Sequence, residues 1–235
     1  DKVFYAISPS VGNMIVTEGE KKIYNFFNKM LFASFFLTVL CGNCLLCLLN
    51  PFIRMWLTDS FLLPQTAVIV TIISFYLTNM RKPVLIFKEA YGFFKNDRYR
   101  PLVESGINIA ISLGLCKILG LGLEGILLGP VLSYLISAFW IEPYILFKNG
   151  FHMDLKLYFK RYLLYVAFTV VVFSVSATIC SSIKPDITGF FLSGVICVLA
   201  SVGSVVVVFR RTDEFRWFAD IVFRMVKRYL NQNMA

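Results

Sequence analysis

Apolar runs of membrane-spanning length, separated by short polar joints, recur along this chain. Val3–Val16 is apolar but short, and it is broken at Ser8-Pro9-Ser10 and Gly12-Asn13. It predicts the last part of a truncated, kinked membrane helix. The joint Glu18–Lys22 leads into six longer runs: Phe26–Leu57, Gln65–Phe94, Leu102–Leu119, Leu123–Phe147, Tyr162–Ile183 and Ile187–Phe209. Each has the roughly 17–25 residues or more that a helix needs to cross a bilayer. Pro101 stands at the first helical position of the third run, where its missing N–H costs nothing. Gly125-x-x-x-Gly129 in the fourth has the small-residue spacing that lets two helices approach closely. Lys148–Arg161 is the longest joint and reads as amphipathic and interfacial. From Thr212 to Leu230 the pattern changes. Phe215, Phe218, Ala219, Val222, Phe223 and Val226 fall on one side, with Arg216, Asp220, Arg224, Lys227 and Arg228 around the other. That predicts an amphipathic helix lying on a membrane surface.

Composition agrees with this pattern. The 235 residues are 58% hydrophobic and only 16% charged, where a soluble domain is nearer 45–50% and about 25%. The net charge of +9 does not imply nucleic acid, because basic joints also set membrane orientation. Lys21-Lys22, Lys95-Arg98-Arg100, Lys148-Lys156-Lys160-Arg161 and Arg210-Arg211 fall at alternate ends of the runs. The intervening joints carry only Lys184. The expected fold is all-α: a polytopic bundle of six full transmembrane helices in three hairpins, a truncated N-terminal helix and a C-terminal interfacial one. Residues 1–211 form the transmembrane bundle and 212–235 a cytoplasmic tail. The chain starts at Asp1 without a signal-peptide pattern, which predicts a C-terminal piece of a longer protein. Cys41, Cys44, Cys47, Cys116, Cys180 and Cys197 all lie in or beside apolar runs. Cys41-x-x-Cys44-x-x-Cys47 has metal-like spacing but no His or carboxylate nearby, so the cysteines read as small packing residues and no metal is expected.

Charge inside an apolar run is the exception that points to function. Thr78–Lys95 carries Arg81, Lys82, Lys88 and Glu89 around Pro83. If the run enters at Gln65, Arg81 lies about 24 Å in. A charge there faces a cavity, a ligand or a partner charge. One reading is an ion pair made for packing. The other is an anion site, with Arg81 and Lys82 as donors, Asn79 beside them and Pro83 kinking the helix. Lys88 and Glu89 fall nearer the interface, where Lys88 snorkels. Glu104 and Glu142, near the basic ends of their runs, are ion-pair partners or proton-coupling carboxylates. Asn108 shares a face with Glu104, one turn on. Glu124 starts a helix, where its charge suits the dipole. His152, the only histidine, reads as solvated.

No metalloprotease, nucleophile-elbow, phosphate-loop or paired-aspartate motif is present. The joints are too short for a catalytic domain, so an enzyme is not expected.

Three stretches carry a resemblance. SPSVGN at Ser8–Asn13 is followed by a basic joint, and NPFIRMWLTD at Asn50–Asp59 ends the first full run. Arg98–Phe151 combines a basic joint with Pro, an Asn-bearing run, a Gly-rich turn, a Gly-bearing return and W-x-E-P-Y. Together they resemble the C-terminal half of bacterial polysaccharide flippases. These are the lipid-linked oligosaccharide (O-antigen or capsule repeat-unit) transporters of the multidrug/oligosaccharidyl-lipid/polysaccharide exporter superfamily. The resemblance implies two helical bundles around a cavity that opens alternately to each side of the bacterial inner (plasma) membrane, with the C-terminus cytoplasmic. It implies a polyprenyl-pyrophosphate-linked sugar as substrate, cation exchange as power source, and no cofactor. Arg81 and Lys82 match the basic cavity position that would hold the phosphates, with Asn79 and Asn108 as lining residues. The partners implied are the absent N-terminal bundle, membrane lipids, and a polysaccharide polymerase and glycosyltransferases. Two alternatives stay open: a drug or cation exporter of the same superfamily, which calls for acidic cavity residues, and a non-transporting scaffold in a polysaccharide assembly complex.

Overall fold

The computed structural model describes residues 8–93, 98–184 and 186–232, the side chains of 225, 226 and 228–232 aside. Within these residues the fold is all-helical. In chain order the helices are α1 (Ser8–Thr17), α2 (Glu20–Trp56), α3 (Gln65–Ala90), α4 (Arg100–Ile118), α5 (Gly122–Ile136), α6 (Ala138–Leu146), α7 (Lys156–Ser181), α8 (Ile187–Phe209) and α9 (Asp213–Gln232). Six segments are long and apolar enough to cross a membrane: α2, α3, α4, the continuous Gly122–Phe151, α7 and α8. That is the build of a multi-pass membrane protein.

α2 is the hub. It packs against α3, α7, α8 and α9, and its 37 residues span about 55 Å, well beyond the ~30 Å hydrocarbon layer. It starts earlier than the apolar run, at Glu20, because a helix continues through its polar first turn where the residues reach water. Its N-terminal half is held by aromatic contact. Phe27 meets Phe87, Phe147, Phe151 and Tyr158, and Phe35 stacks on Tyr165 with centroids 4.1 Å apart. Such pairs add about 0.5–1.5 kcal/mol each beyond area burial. At the other end, the amide of Asn50 closes the α2–α3 turn. Its Nδ2 donates to the Leu63 carbonyl and its Oδ1 accepts from the Leu63 amide.

α4 and α5 form a hairpin against α3. The turn between them uses left-handed backbone at Gly120 (φ 64°) and Gly122 (φ 50°), a region that glycine enters without steric cost. The Gly125-x-x-x-Gly129 face meets α4. A Cβ at Gly129 would sit 1.9 Å from Ser112 Oγ, and one at Gly125 would sit 2.9 Å from Cys116 Sγ. Close approach is therefore what these glycines supply. None of α4's own residues is buried, so its outer face is left for lipid or another chain.

The N-terminal segment is helical over Ser8–Thr17, and residues 1–7 lie outside the described ones. Two expectations change. The longest joint shrinks, because the fourth span continues through a π-helical turn, Phe147–Phe151. Phe147 and Phe151 are buried against Phe27, and that aromatic contact outweighs the polar residues between them. His152 then turns the chain in left-handed backbone at φ 52°, and α7 begins by Lys156. Finally, α9 spends part of its apolar face on the bundle. Phe215 and Phe218 pack on Phe32, Phe218 also on Phe36, and Trp217 meets Phe26 edge-on. Phe223 stays exposed, while the side chains of Val226 and Arg228 lie outside the described ones. Arg161 of α7 pairs with Glu214 of α9 at 2.5 Å.

Candidate functional site

Arg81 stands on the α3 face that also carries Ser74, Leu77 and Thr78, at helical spacing. Lys88 follows two turns later on the same side. Opposite them, α4 brings Arg100 and Glu104, one turn apart, and α6 brings Glu142. The five side chains converge. Arg81 Nε donates to Glu142 Oε2 at 2.8 Å and its Nη2 to Oε1 at 2.9 Å. Its Nη1 and Nη2 also reach Glu104, at 3.1 and 3.2 Å. Arg100 bridges the same two carboxylates, 2.9 Å from Glu104 and 2.6 Å from Glu142. Lys88 Nζ lies 3.3 Å from Glu142 Oε1.

Burial is graded across the cluster. Side-chain exposure is 0% for Glu142, 5% for Lys88, 11% for Arg100, 19% for Arg81 and 20% for Glu104. Glu142 is thus a fully buried carboxylate facing three cations. An unpaired carboxylate there would be prohibitively costly, and pairing plus hydrogen bonds is what keeps it. The bidentate guanidinium geometry is one that Lys could not reproduce. Arg81 also lies over the Tyr134 ring, 4.7 Å from its centroid.

Beside Arg81 a small cavity of about 110 Å³ opens, lined by Ser74, Thr78, Arg81, Glu104 and Tyr134 with Leu77, Pro130 and Val131. Drug-sized ligand sites run to roughly 300–1,000 Å³, so this cavity has no room for an oligosaccharide. A larger ligand needs the α4–α5 hairpin to move away from α3. The Arg81–Glu104 pair crosses that boundary, and Arg81–Glu142 ties α3 to α6 beside it.

The remaining candidates sit elsewhere. Lys82 lies one residue on, about 100° around α3 from Arg81, and its Nζ donates to Asn79 Oδ1 at 2.6 Å. Asn79 gives its Nδ2 to the Phe75 carbonyl, and its own carbonyl accepts from Ser34 of α2. Lys82 and Asn79 therefore pair along α3, and it is the main-chain carbonyl of Asn79 that reaches α2. Asn108 is not a cavity residue here. Its Oδ1 accepts from Ser112 inside the α4–α5 seam, against Gly129, because the glycine pair draws the two helices together around it. Lys88 belongs to the site and does not snorkel, since it is buried with its Nζ against Glu142 of α6. Glu124 accepts from Thr66 and ties the starts of α5 and α3. His152 Nδ1 meets Glu20 at 3.0 Å on the surface. Nearby, burial and then Glu20 push the Tyr91 phenol above its ordinary range.

Arg100 was hidden as one of several basic joint residues. Two spacings could have found these residues. Arg81 and Lys88 are seven apart, and Arg100 and Glu104 are four apart, so each pair shares a helix face. No protein-family model, curated protein or solved structure matches the chain.

Proposed function

We propose that this chain is one bundle of a transporter that flips polyprenyl-pyrophosphate-linked oligosaccharide repeat units across a bacterial plasma membrane by alternating access, for surface polysaccharide synthesis. Arg81 is the cation that exchanges its carboxylates for the substrate's pyrophosphate. The observation that carries this reading is a bidentate guanidinium held inside a span by two carboxylates on a separate pair of elements, at the rim of a polar cavity. The sequence resemblance supplies the substrate class. A pyrophosphate entering a low-dielectric region needs cationic compensation. A guanidinium already shaped around two carboxylates suits phosphate oxygens equally well. Substrate entry separates α4 from α3, breaks the Arg81–Glu104 contact and presents Arg81 to the diphosphate. Release restores the pair, which keeps binding weak enough for turnover. The other wall of the cavity comes from the second bundle, and the C-terminus lies on the cytoplasmic side with the basic joints.

A second reading has its own support. Every nitrogen of the Arg81 guanidinium already bonds a carboxylate, as in a brace for a non-transporting scaffold. Export of surface polysaccharide by the full-length protein separates the two. Arg81→Ala abolishes export under the transport reading. The pair Arg81→Met with Glu104→Gln, which leaves Glu142 bonded to Arg100 and Lys88, restores membrane levels without restoring export. Export that recovers along with protein level identifies a brace. Undiminished export in Arg81→Ala rules out both roles.

A further inference from the structure

Away from the charge cluster, α2, α7 and α8 are joined by two stacked polar layers. In the first, Asn43 Nδ2 donates to Ser176 Oγ at 2.9 Å, to Ser201 Oγ at 3.0 Å and to the Cys197 carbonyl at 3.2 Å. One helical turn along each helix stands a cysteine: Cys47 four residues after Asn43, Cys180 four after Ser176, and Cys197 four before Ser201. Because α8 runs antiparallel to α7, the same layer arises from opposite sequence directions. The three Sγ atoms lie within 4.8 Å of one another, and Cys180 and Cys197 are 3.9 Å apart.

We propose that Cys47, Cys180 and Cys197 form a three-sulfur site for a thiophilic divalent cation of the zinc and cadmium class. A metal–thiolate bond of about 2.3 Å puts sulfurs sharing one ion about 4 Å apart. Cys180 and Cys197 already have that spacing and Cys47 lies within 4.8 Å of both, whereas a disulfide needs about 2.05 Å. The donor set has no oxygen ligand of the kind that selects magnesium or calcium, and thiolates favour soft ions. Access exists as well. A cavity of about 320 Å³, lined by Cys47, Cys180, Asn50, Gln65 and Ser181 among others, reaches two of the three sulfurs from the α2–α3 turn. It leaves a fourth position for water. The ion displaces thiol protons to solvent, and two thiolates suffice to neutralise its charge in the apolar interior. Bound there, it clamps three helices together. The linear run Cys41-x-x-Cys44-x-x-Cys47 does not act as a set, since Cys41 is exposed and of the three Cys47 alone has its sulfur within 4.8 Å of both Cys180 and Cys197.

The test uses the purified full chain in detergent, with Cd²⁺ alone as probe. Ultraviolet absorbance reports thiolate-to-cadmium charge transfer. Alkylation followed by peptide mass mapping reports which thiols are covered. One equivalent of Cd²⁺ produces the band and protects Cys47 and Cys180, the two of the three that line the cavity, together, leaving Cys41, Cys44 and Cys116 labelled as before. Cys180→Ser weakens binding by roughly tenfold or more, at least the loss seen for supporting residues of metal sites, and Cys44→Ser leaves it unchanged. The proposal is overturned by absence of the band, by protection of Cys41, Cys44 and Cys47 as a set, or by equal protection of all six. Because the wild-type protection pattern decides by itself, a variant that folds poorly does not blunt the test.

Discussion

Arg81 grips Glu142 edge-on, through Nε at 2.8 Å and Nη2 at 2.9 Å, so that one buried carboxylate on α6 fixes a cation of α3. Arg100 and Lys88 complete its surroundings. Removing the carboxylate charge takes a buried partner from three cations at once, while Arg81 and Arg100 keep Glu104. Glu142→Gln therefore lowers unfolding free energy by about 3–5 kcal/mol, the usual result of breaking a buried pair from one side. Denaturant titration in detergent measures it. Arg81→Met with Glu142→Leu loses less than the sum of the two single changes, because apolar packing replaces a costly buried pair.

The α4–α5 seam offers a packing prediction. Gly129→Ala places a methyl against Ser112 Oγ and Asn108 Oδ1, and relieving such overpacking costs typically about 1–3 kcal/mol. Ser112→Ala in the Gly129→Ala background recovers part of the loss, since it removes the nearer of the two atoms. Thermal unfolding of the hairpin, followed by cross-linking between α4 and α5, reports both changes.

Asn43 is buried with all three of its donor contacts on α7 and α8. Asn43→Ala leaves Ser176 and Ser201 without that donor and costs about 1–3 kcal/mol. Hydrogen exchange in α7 and α8 rises near these serines, while exchange at the Arg81 cluster is unchanged.

The spans and the amphipathic tail were legible because apolar length and helical period are local properties of the chain. Arg81 stood out for the same reason, as a charge where a lipid-facing residue could not be. Glu104 and Glu142 were recognisable as carboxylates near span ends. Their meeting on one guanidinium was not, because it depends on how α5, which carries α4, and α6 pack against α3. Lys88 was misplaced since distance along the span suggests an interface, whereas the end of α6 closes over it. Phe147 and Phe151 show the same limit: the polar Lys148-Asn149 between them reads as loop until Phe27 supplies a core. The thiol layer is the extreme case. Its cysteines lie on three helices, while the one visible cysteine spacing is local to α2.

The central claim is that Arg81 trades its carboxylates for the pyrophosphate of a lipid-linked substrate. The most direct measurement is equilibrium binding of a short-chain polyprenyl pyrophosphate to the purified protein and to Glu104→Gln and Arg81→Ala. Neutralising Glu104 removes a competitor for the guanidinium, so Glu104→Gln binds several-fold more tightly than the parent, and Arg81→Ala loses the binding. Equal affinity across all three proteins contradicts the account and leaves the cluster as a structural brace.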